Sequence, residues 1–67
     1  HSAYWRALME KGKVVIFGPV LDPKGAYGLG IIAAENEEEV KAFIAGDPAV
    51  GINLVYEYNQ MLAVVKN

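Results

Sequence analysis

The stretch Lys13–Gly25, KVVIFGPVLDPKG, restricts the possible folds of this chain more than any other part of it. It begins with the apolar run VVIF, which is too short for a helix and rich in β-branched residues, so it predicts a strand. Asp22-Pro23-Lys24-Gly25 then places Asp, Pro and Gly at the positions of a type I turn that favour them. A second apolar strand, Tyr27–Ala34, follows. The sequence therefore predicts a hairpin, with the Asp22 carboxylate on a loop at the end of a sheet, where catalytic side chains are often placed.

One helix is predicted before this hairpin in the sequence and one after it. The segment Ser2–Lys11 carries an apolar face at helical spacing, and Gly12 stands where a helix commonly ends. For the second helix, Asn36 is the predicted N-cap, Glu39 holds the reciprocal capping-box position and Gly46 is the predicted end. The three glutamates that open it suit the positive end of a helix dipole, and a cation site is the alternative interpretation.

The region after the second helix is predicted to turn and then form a third strand. Asp47-Pro48 is typical of an N-cap followed by proline at the first position of a single turn. From Ile52 to about Tyr58 the residues mostly alternate with period two, and Met61–Val65 is a candidate extension. The order helix, strand, strand, helix, strand matches the last five elements of a βαββαβ ferredoxin-like unit, an α+β fold. We therefore expect residues 1–67 to form a single domain that is incomplete at its N-terminus.

The first predicted strand, Lys13–Val20, is apolar on both faces. With simple alternation, Val14 and Ile16 point one way, and Val15 and Phe17 point the other way. Two helices can cover only one face of the sheet, so the other face needs a partner. We expect a homodimer joined through the sheet face away from the helices.

Two further patterns concern packing. Gly28 and Gly30 in the second strand leave room for a close approach on the Ile32 side, or they mark a bulge. The large aromatic residues have two interpretations, as core or interface residues and as pocket walls, and these are Trp5, Tyr27 and Tyr56.

Composition excludes several classes of function. Six Lys and Arg residues against eight Asp and Glu residues give a net charge of −2 without a basic cluster, which argues against nucleic-acid binding. The chain has no cysteine, so disulfides and thiolate metal sites are absent. No apolar run approaches the ~20 residues of a membrane span and no leader precedes the domain, so we expect a soluble, cytoplasmic protein. No spacing indicates a metal site, a phosphate loop or another cofactor.

Three motifs carry a resemblance to a known family. They are HxxYWxxLMxxG over His1–Gly12, VxxGPVxDxxG over Val15–Gly25, and the later pair Asp47-Pro48. In order and spacing the chain resembles the YciI-like (YCII-related) domain of the dimeric α+β barrel superfamily, from its first residue to about Met61. The family's first strand and most of its first helix have no counterpart here. Similar proteins form dimers in which two open sheets close into a barrel.

The resemblance also implies a function. The family is proposed to carry an acid–base His–Asp pair, and its few characterised relatives include a dehydrochlorinase acting on a chlorinated hydroxyhydroquinone. Those roles map onto His1 and Asp22, which predicts a small lyase or isomerase acting on a phenolic or enolisable substrate. A neutral imidazole is a natural proton shuttle at physiological pH, and a carboxylate on its other nitrogen would fix its tautomer.

Each of these residues has a simpler interpretation. An N-terminal histidine such as His1 is often a tag remnant, and Asp22 can serve only its own turn. Gly18 and Pro19 either shape the end of the strand or touch the substrate, and Asp47 is either a cap or a carboxylate at the rim of a pocket. The alternative function is accordingly a non-catalytic dimeric module that binds a small ligand or has a regulatory role.

Overall fold

A computed structural model gives the structure of the protein and describes residues 2–52 and 54–66. Helix α1 spans Ser2–Glu10, strands β1 and β2 span Val14–Val20 and Tyr27–Ile32, and helix α2 spans Glu37–Gly46. The two strands form one antiparallel hairpin. Four of the five predicted elements are therefore present, in the predicted order. The structure is α+β, and a ferredoxin-like sheet is not formed by the described residues.

Helix α1 ends as the sequence predicts. Gly12 has φ of 79°, a left-handed conformation that glycine adopts without steric cost. The amide of Gly12 donates to the Met9 carbonyl at 3.0 Å, and the amide of Lys13 donates to the Leu8 carbonyl at 2.9 Å. This pair of bonds is a Schellman motif, which satisfies carbonyls that would otherwise lack a partner at the end of the helix.

The start of helix α2 confirms one half of the predicted capping box. The Asn36 side chain accepts from the Glu39 amide at 3.0 Å. The Glu39 carboxylate, however, accepts from the Glu35 amide at 3.4 Å and not from Asn36, so the reciprocal bond forms one residue earlier than predicted. Glu37, in the first turn of α2, forms an exposed salt bridge with Lys41, and its Oε1 lies 3.4 Å from the Lys41 Nζ.

A bulge in β1 changes which residues share a face of the hairpin. Val14 pairs with Ile32 and Ile16 pairs with Ile31, so one extra residue is inserted into β1. The inserted residue breaks the simple alternation, and the prediction that Val14 and Ile16 share a face is wrong. Val14 is 4% exposed, whereas Val15 and Ile16 are each 57% exposed.

The third strand is the main correction to the predicted fold. Of the described residues after α2, only Val50 and Leu54 form a β-bridge, and the segment 55–66 has no regular secondary structure. An alternating sequence becomes a strand only when a neighbour supplies hydrogen bonds, and neither β1 nor β2 pairs with this segment. The extension over Met61–Val65 is absent for the same reason. Strand β2 also ends at Ile32, two residues before the predicted end.

The buried core is small and centres on Trp5. Among the described residues only Trp5, Val14 and Asp47 are buried. Helix α1 packs on β1, and the Trp5 ring lies against the backbone of Gly30, where an added Cβ would collide with the ring. The predicted close approach at Gly30 is thereby confirmed, whereas Gly28 has open space beside it. Within the part of the chain that the structure describes, neither helix has the length and apolar character needed to cross a bilayer.

Candidate functional site

Three side chains from distant parts of the chain meet beside the core, and we call them the Asp47 cluster: Trp5, Asp47 and Tyr56. The Trp5 indole N–H donates to Oδ2 of Asp47 and to the Tyr56 hydroxyl oxygen, at 3.1 Å in each case. The Tyr56 hydroxyl donates to the same Oδ2 atom. Helix α1, the turn after α2 and the segment 54–66 are thus joined at one carboxylate oxygen.

The other oxygen of Asp47 serves its own turn. Oδ1 accepts from the Ala49 amide at 2.9 Å, and the Asp47 carbonyl accepts from the Val50 amide at 3.1 Å. The predicted capping turn after α2 is therefore confirmed. Asp47 is 2% exposed, and the bonds from Ala49, Trp5 and Tyr56 supply the hydrogen bonding that a buried carboxylate requires.

The environment of the cluster shifts the acidity of its members. Burial raises the pKa of the Asp47 carboxyl, but the hydrogen bonds from Tyr56, the Ala49 amide and Trp5 outweigh burial and hold that pKa below its ordinary value. Burial, together with the hydrogen bond to Asp47, raises the pKa of Tyr56 to about 12. Burial and the negative charge of Asp47 also raise the pKa of Tyr4. The stable state of the cluster at neutral pH is an ionised carboxylate with neutral phenols.

Aromatic packing holds the indole of this cluster in place. The Trp5 ring lies 4.7 Å from the Phe43 ring in a T-shaped contact and 5.5 Å from the Phe17 ring. The Tyr56 ring is stacked on Trp5, with an interplanar angle of 12° and 6.4 Å between centroids. Tyr4 adds a bond from its hydroxyl to the Phe43 carbonyl at 2.7 Å. Such contacts fix the direction in which the indole N–H points.

The predicted catalytic Asp22 lies at the tip of the hairpin. Its Oδ1 accepts from the Lys24 amide at 2.9 Å, its carbonyl accepts from the Gly25 amide at 2.9 Å, and the residue is exposed. The predicted turn is confirmed, and no bond from a distant described residue reaches this carboxylate. His1 lies outside the described residues, so the predicted His1–Asp22 pair stays a prediction.

The predicted substrate-binding residues lie in different parts of the structure. Gly18 and Pro19 are in β1, opposite Leu29 and Gly28. That they touch a substrate together with Asp47 stays a prediction.

A cleft of about 290 Å³ opens on another side of the core, between α1, the end of β2 and α2. It is mainly apolar, with one lysine and one glutamate among its lining residues, which are Tyr4, Leu8, Lys13, Ile32, Ala33, Ala34, Glu39, Ala42 and Phe43. Across residues 2–52 and 54–66, no three metal-ligating side chains come together.

The link between Asp47 and Tyr56 is the feature that sequence reasoning missed. The sequence suggests separate roles for the two residues: a cap or a carboxylate at the rim of a pocket for Asp47, and a core or interface residue or a pocket wall for Tyr56. The available signal was the pairing of residue types, because Asp47 supplies a carboxylate acceptor and Tyr56 and Trp5 supply donors that a buried carboxylate needs. Such a signal shows which groups can bond but does not show that they meet.

The described residues thus form a helix-flanked hairpin of the α+β class, beside which a buried carboxylate accepts from an indole and a phenol. The family model of the YCII-related domain matches residues 1–61, and the chain belongs to this family. The comparison with curated proteins and the comparison with solved structures gave no match.

Proposed function

We propose that this protein is a small acid–base enzyme, a lyase or isomerase that moves a proton on a phenolic or enolisable substrate. His1 is the proposed proton shuttle. The observation that carries the proposal is the buried Asp47 carboxylate, which accepts hydrogen bonds from the Trp5 indole, the Ala49 amide and the Tyr56 hydroxyl. Membership of the YCII-related family supports it, because a His–Asp pair is the acid–base device proposed for that family.

Asp47 supports the carboxylate role better than Asp22, the residue that the sequence suggested. A carboxylate that orients an imidazole must be ionised and must point in one direction. Tertiary hydrogen bonds from Trp5 and Tyr56 restrict the orientation of Asp47. Among the described residues, Asp22 bonds only within its own exposed turn. The proposal therefore pairs His1 with Asp47 and keeps Asp22 as the alternative to be tested.

The proposed reaction moves one proton in two transfers, removal from the substrate and then return or release, with no net oxidation or reduction. Neutral His1 removes a proton from a hydroxyl or an acidic carbon of the substrate, and the resulting imidazolium is stabilised by the carboxylate. In an isomerisation the proton returns to another atom of the same substrate. In an elimination the electron pair left behind expels an anion such as chloride, and the imidazolium loses its proton to solvent.

Turnover by three variants tests this proposal. Chlorinated and hydroxylated aromatic compounds are the first substrates to screen, and the variants are His1→Ala, Asp47→Asn and Asp22→Asn. Loss of a general acid–base group lowers the rate by about 10²–10⁴-fold, so we expect a loss of this size in His1→Ala. Asp47→Asn should lower the rate in the same direction, and Asp22→Asn should leave it unchanged.

Two results would contradict these assignments. An unchanged rate in His1→Ala would remove His1 from the mechanism. A loss of activity in Asp22→Asn but not in Asp47→Asn would return the carboxylate role to Asp22.

The cleft supports a second candidate function, a non-catalytic module that binds a small ligand. Its volume of about 290 Å³ and its apolar lining suit a small organic molecule, with the Lys13 ammonium beside it as a partner for an anionic group. Saturable binding of an aromatic acid, abolished in Leu8→Trp and accompanied by no turnover, is the result that this candidate requires. Turnover lost in His1→Ala would favour the enzyme instead.

We also propose that the protein acts as a homodimer through the outer face of the hairpin. The chain exposes 5778 Å², whereas a compact monomer of 7.3 kDa exposes about 4,200 Å². The excess is larger than the roughly 800 Å² that each partner buries in a standard interface. Val15, Ile16 and Leu29 are large apolar residues exposed on the hairpin.

Sedimentation tests the proposed homodimer. The wild-type protein should have twice the monomer mass, and Ile16→Lys should be a monomer. A wild-type monomer at micromolar concentration would rule out the homodimer.

A further inference from the structure

We infer that Tyr56 is a positioning residue of this site, whose hydroxyl keeps the Asp47 carboxylate in a single orientation. The inference rests on the proposed role of Asp47, and it identifies Tyr56 as the residue that orients the Asp47 carboxylate. Tyr56 is nine positions away in sequence and belongs to a segment that has no regular secondary structure. Its side chain therefore reaches Asp47 only because the tertiary structure brings it there.

The first support is that the two carboxylate oxygens of Asp47 accept hydrogen bonds from different donors. Oδ1 is bound by the Ala49 amide of its own turn, a local bond that any Asp-Pro turn can make. Oδ2 receives the Trp5 indole N–H and the Tyr56 hydroxyl. The indole N–H is shared with the Tyr56 oxygen, at 3.1 Å from each acceptor. The Tyr56 hydroxyl is thus the donor that Oδ2 does not share with another acceptor among the described residues.

The second support is the way in which Tyr56 itself is held. Its ring lies parallel to the Trp5 indole, and its oxygen accepts from that indole while donating to Asp47. The three groups form a closed triangle, so movement of one group changes two hydrogen bonds. Among the described residues, Tyr56 also makes the only side-chain hydrogen bonds between the segment 54–66 and the rest of the chain. The same contacts therefore orient the carboxylate and attach that segment.

The electrostatic surroundings agree with this role. Among the described residues, the titratable groups that face Asp47 are the phenols of Tyr4 and Tyr56. The Tyr56 hydrogen bond is the strongest of the influences that lower the pKa of Asp47. Removing the hydroxyl while keeping the ring should leave a carboxylate that protonates more readily and points less uniformly.

The test compares Tyr56→Phe with Tyr58→Phe in the full chain. Both variants remove one phenolic hydroxyl from the same segment, but Tyr58 is an exposed residue without a bond to the cluster. Titration of the Asp47 carboxyl carbon by ¹³C NMR should show a higher pKa in Tyr56→Phe and the wild-type pKa in Tyr58→Phe. With the substrate identified by the screen, kcat should fall in Tyr56→Phe with little change in KM, and the acid limb of the pH–rate profile should move to higher pH.

A second measurement does not require any mutation of Tyr56. Tyrosinate absorbance of the wild-type protein should show one phenol ionising near pH 12, and Asp47→Asn should return that phenol to its ordinary range. An Asp47 pKa that is the same in the wild type and Tyr56→Phe would overturn the inference. If no substrate turns over but the NMR shift is observed, the positioning role stands and the proposed enzymatic function fails.

Discussion

Two Asp-Pro turns in this molecule have nearly the same local structure and very different surroundings. In each turn the aspartate Oδ1 accepts from the amide two residues later, Lys24 for Asp22 and Ala49 for Asp47, at 2.9 Å in both. In each turn the aspartate carbonyl accepts from the amide three residues later, at 2.9 Å and 3.1 Å. Yet Asp22 is exposed at the hairpin tip, whereas Asp47 is 2% exposed beside the core.

Among the described residues, the two turns differ in burial and in the groups that reach the second carboxylate oxygen. In Asp47 this atom accepts from Trp5 and Tyr56, which come from other parts of the chain. An exposed carboxylate is solvated by water and needs no such partners, whereas a buried one is costly unless it is hydrogen-bonded. An Asp-Pro sequence therefore specifies a turn, and only its surroundings determine whether the carboxylate is buried and held by distant donors.

The largest expected effect comes from removing each carboxylate in turn. Asp47→Ala removes the acceptor of the Tyr56 hydroxyl and one of the acceptors of the buried Trp5 indole, and we expect a loss of about 3 kcal/mol in the free energy of unfolding. Asp22→Ala removes an exposed turn bond and should cost no more than about 1 kcal/mol. Thermal unfolding measures both, at about 4–8 °C per kcal/mol for a domain of this size. Equal losses in the two variants would show that the distant donors at Asp47 add no stability beyond that of the local turn.

A smaller loss of stability is expected when a methyl group is added at Gly30, whose backbone lies against the Trp5 ring. In Gly30→Ala the new methyl group would collide with the Trp5 ring and displace the indole from Asp47. Overpacking of this kind costs about 1–3 kcal/mol. Gly28→Ala is the matched control, because the same methyl group there meets nothing within 4 Å. If chemical denaturation gives the same stability for both variants, the Trp5 ring can move away from residue 30 more easily than the structure indicates.

The lowered pKa of Asp47 predicts a further, smaller effect on stability at acid pH. The pKa of Asp47 is lower in the folded protein than its ordinary value of 3.8, so the unfolded chain binds more protons in the acid range. The stability from Asp47 is therefore complete above pH 3.8 and is lost as the pH falls through the folded pKa. Unfolding measured between neutral and acid pH should depend less on pH in Asp47→Asn than in the wild type. Asp22→Asn is the exposed control, and an unaltered acid dependence in Asp47→Asn would contradict the prediction.

The raised pKa of Tyr56 predicts a dependence of stability on pH in the alkaline range. The pKa of Tyr56 is raised from 10.0 to about 12 in the folded protein, so the folded state keeps a proton that the unfolded chain releases. The contribution of Tyr56 is present below pH 10 and is lost as the pH rises towards 12. Tyr56→Phe should flatten this alkaline loss, and Tyr58→Phe should retain it. The free energy of unfolding at several alkaline pH values is the measurement, and identical slopes in all three proteins would argue against the raised pKa.

Local sequence determined a large part of the fold. The hairpin turn at Asp22, the N-cap at Asn36 and the end of α1 at Gly12 all follow from bonds between residues that are close in sequence. The predicted bounds of both helices differ from the observed ones by at most one residue. Residue types with strong local preferences were therefore sufficient for these elements.

Tertiary structure decided the rest. Whether the segment after Ile52 becomes a strand depends on a pairing neighbour, and alternation alone cannot supply one. The bulge near Val15 depends on how β1 aligns with β2, which simple periodicity does not reveal. The burial of Asp47 depends on the arrival of Trp5 and Tyr56 from 42 and 9 residues away. A hydrogen bond between residues distant in sequence is set by chain packing, so the same Asp-Pro sequence produced an exposed turn in one place and the candidate site in the other.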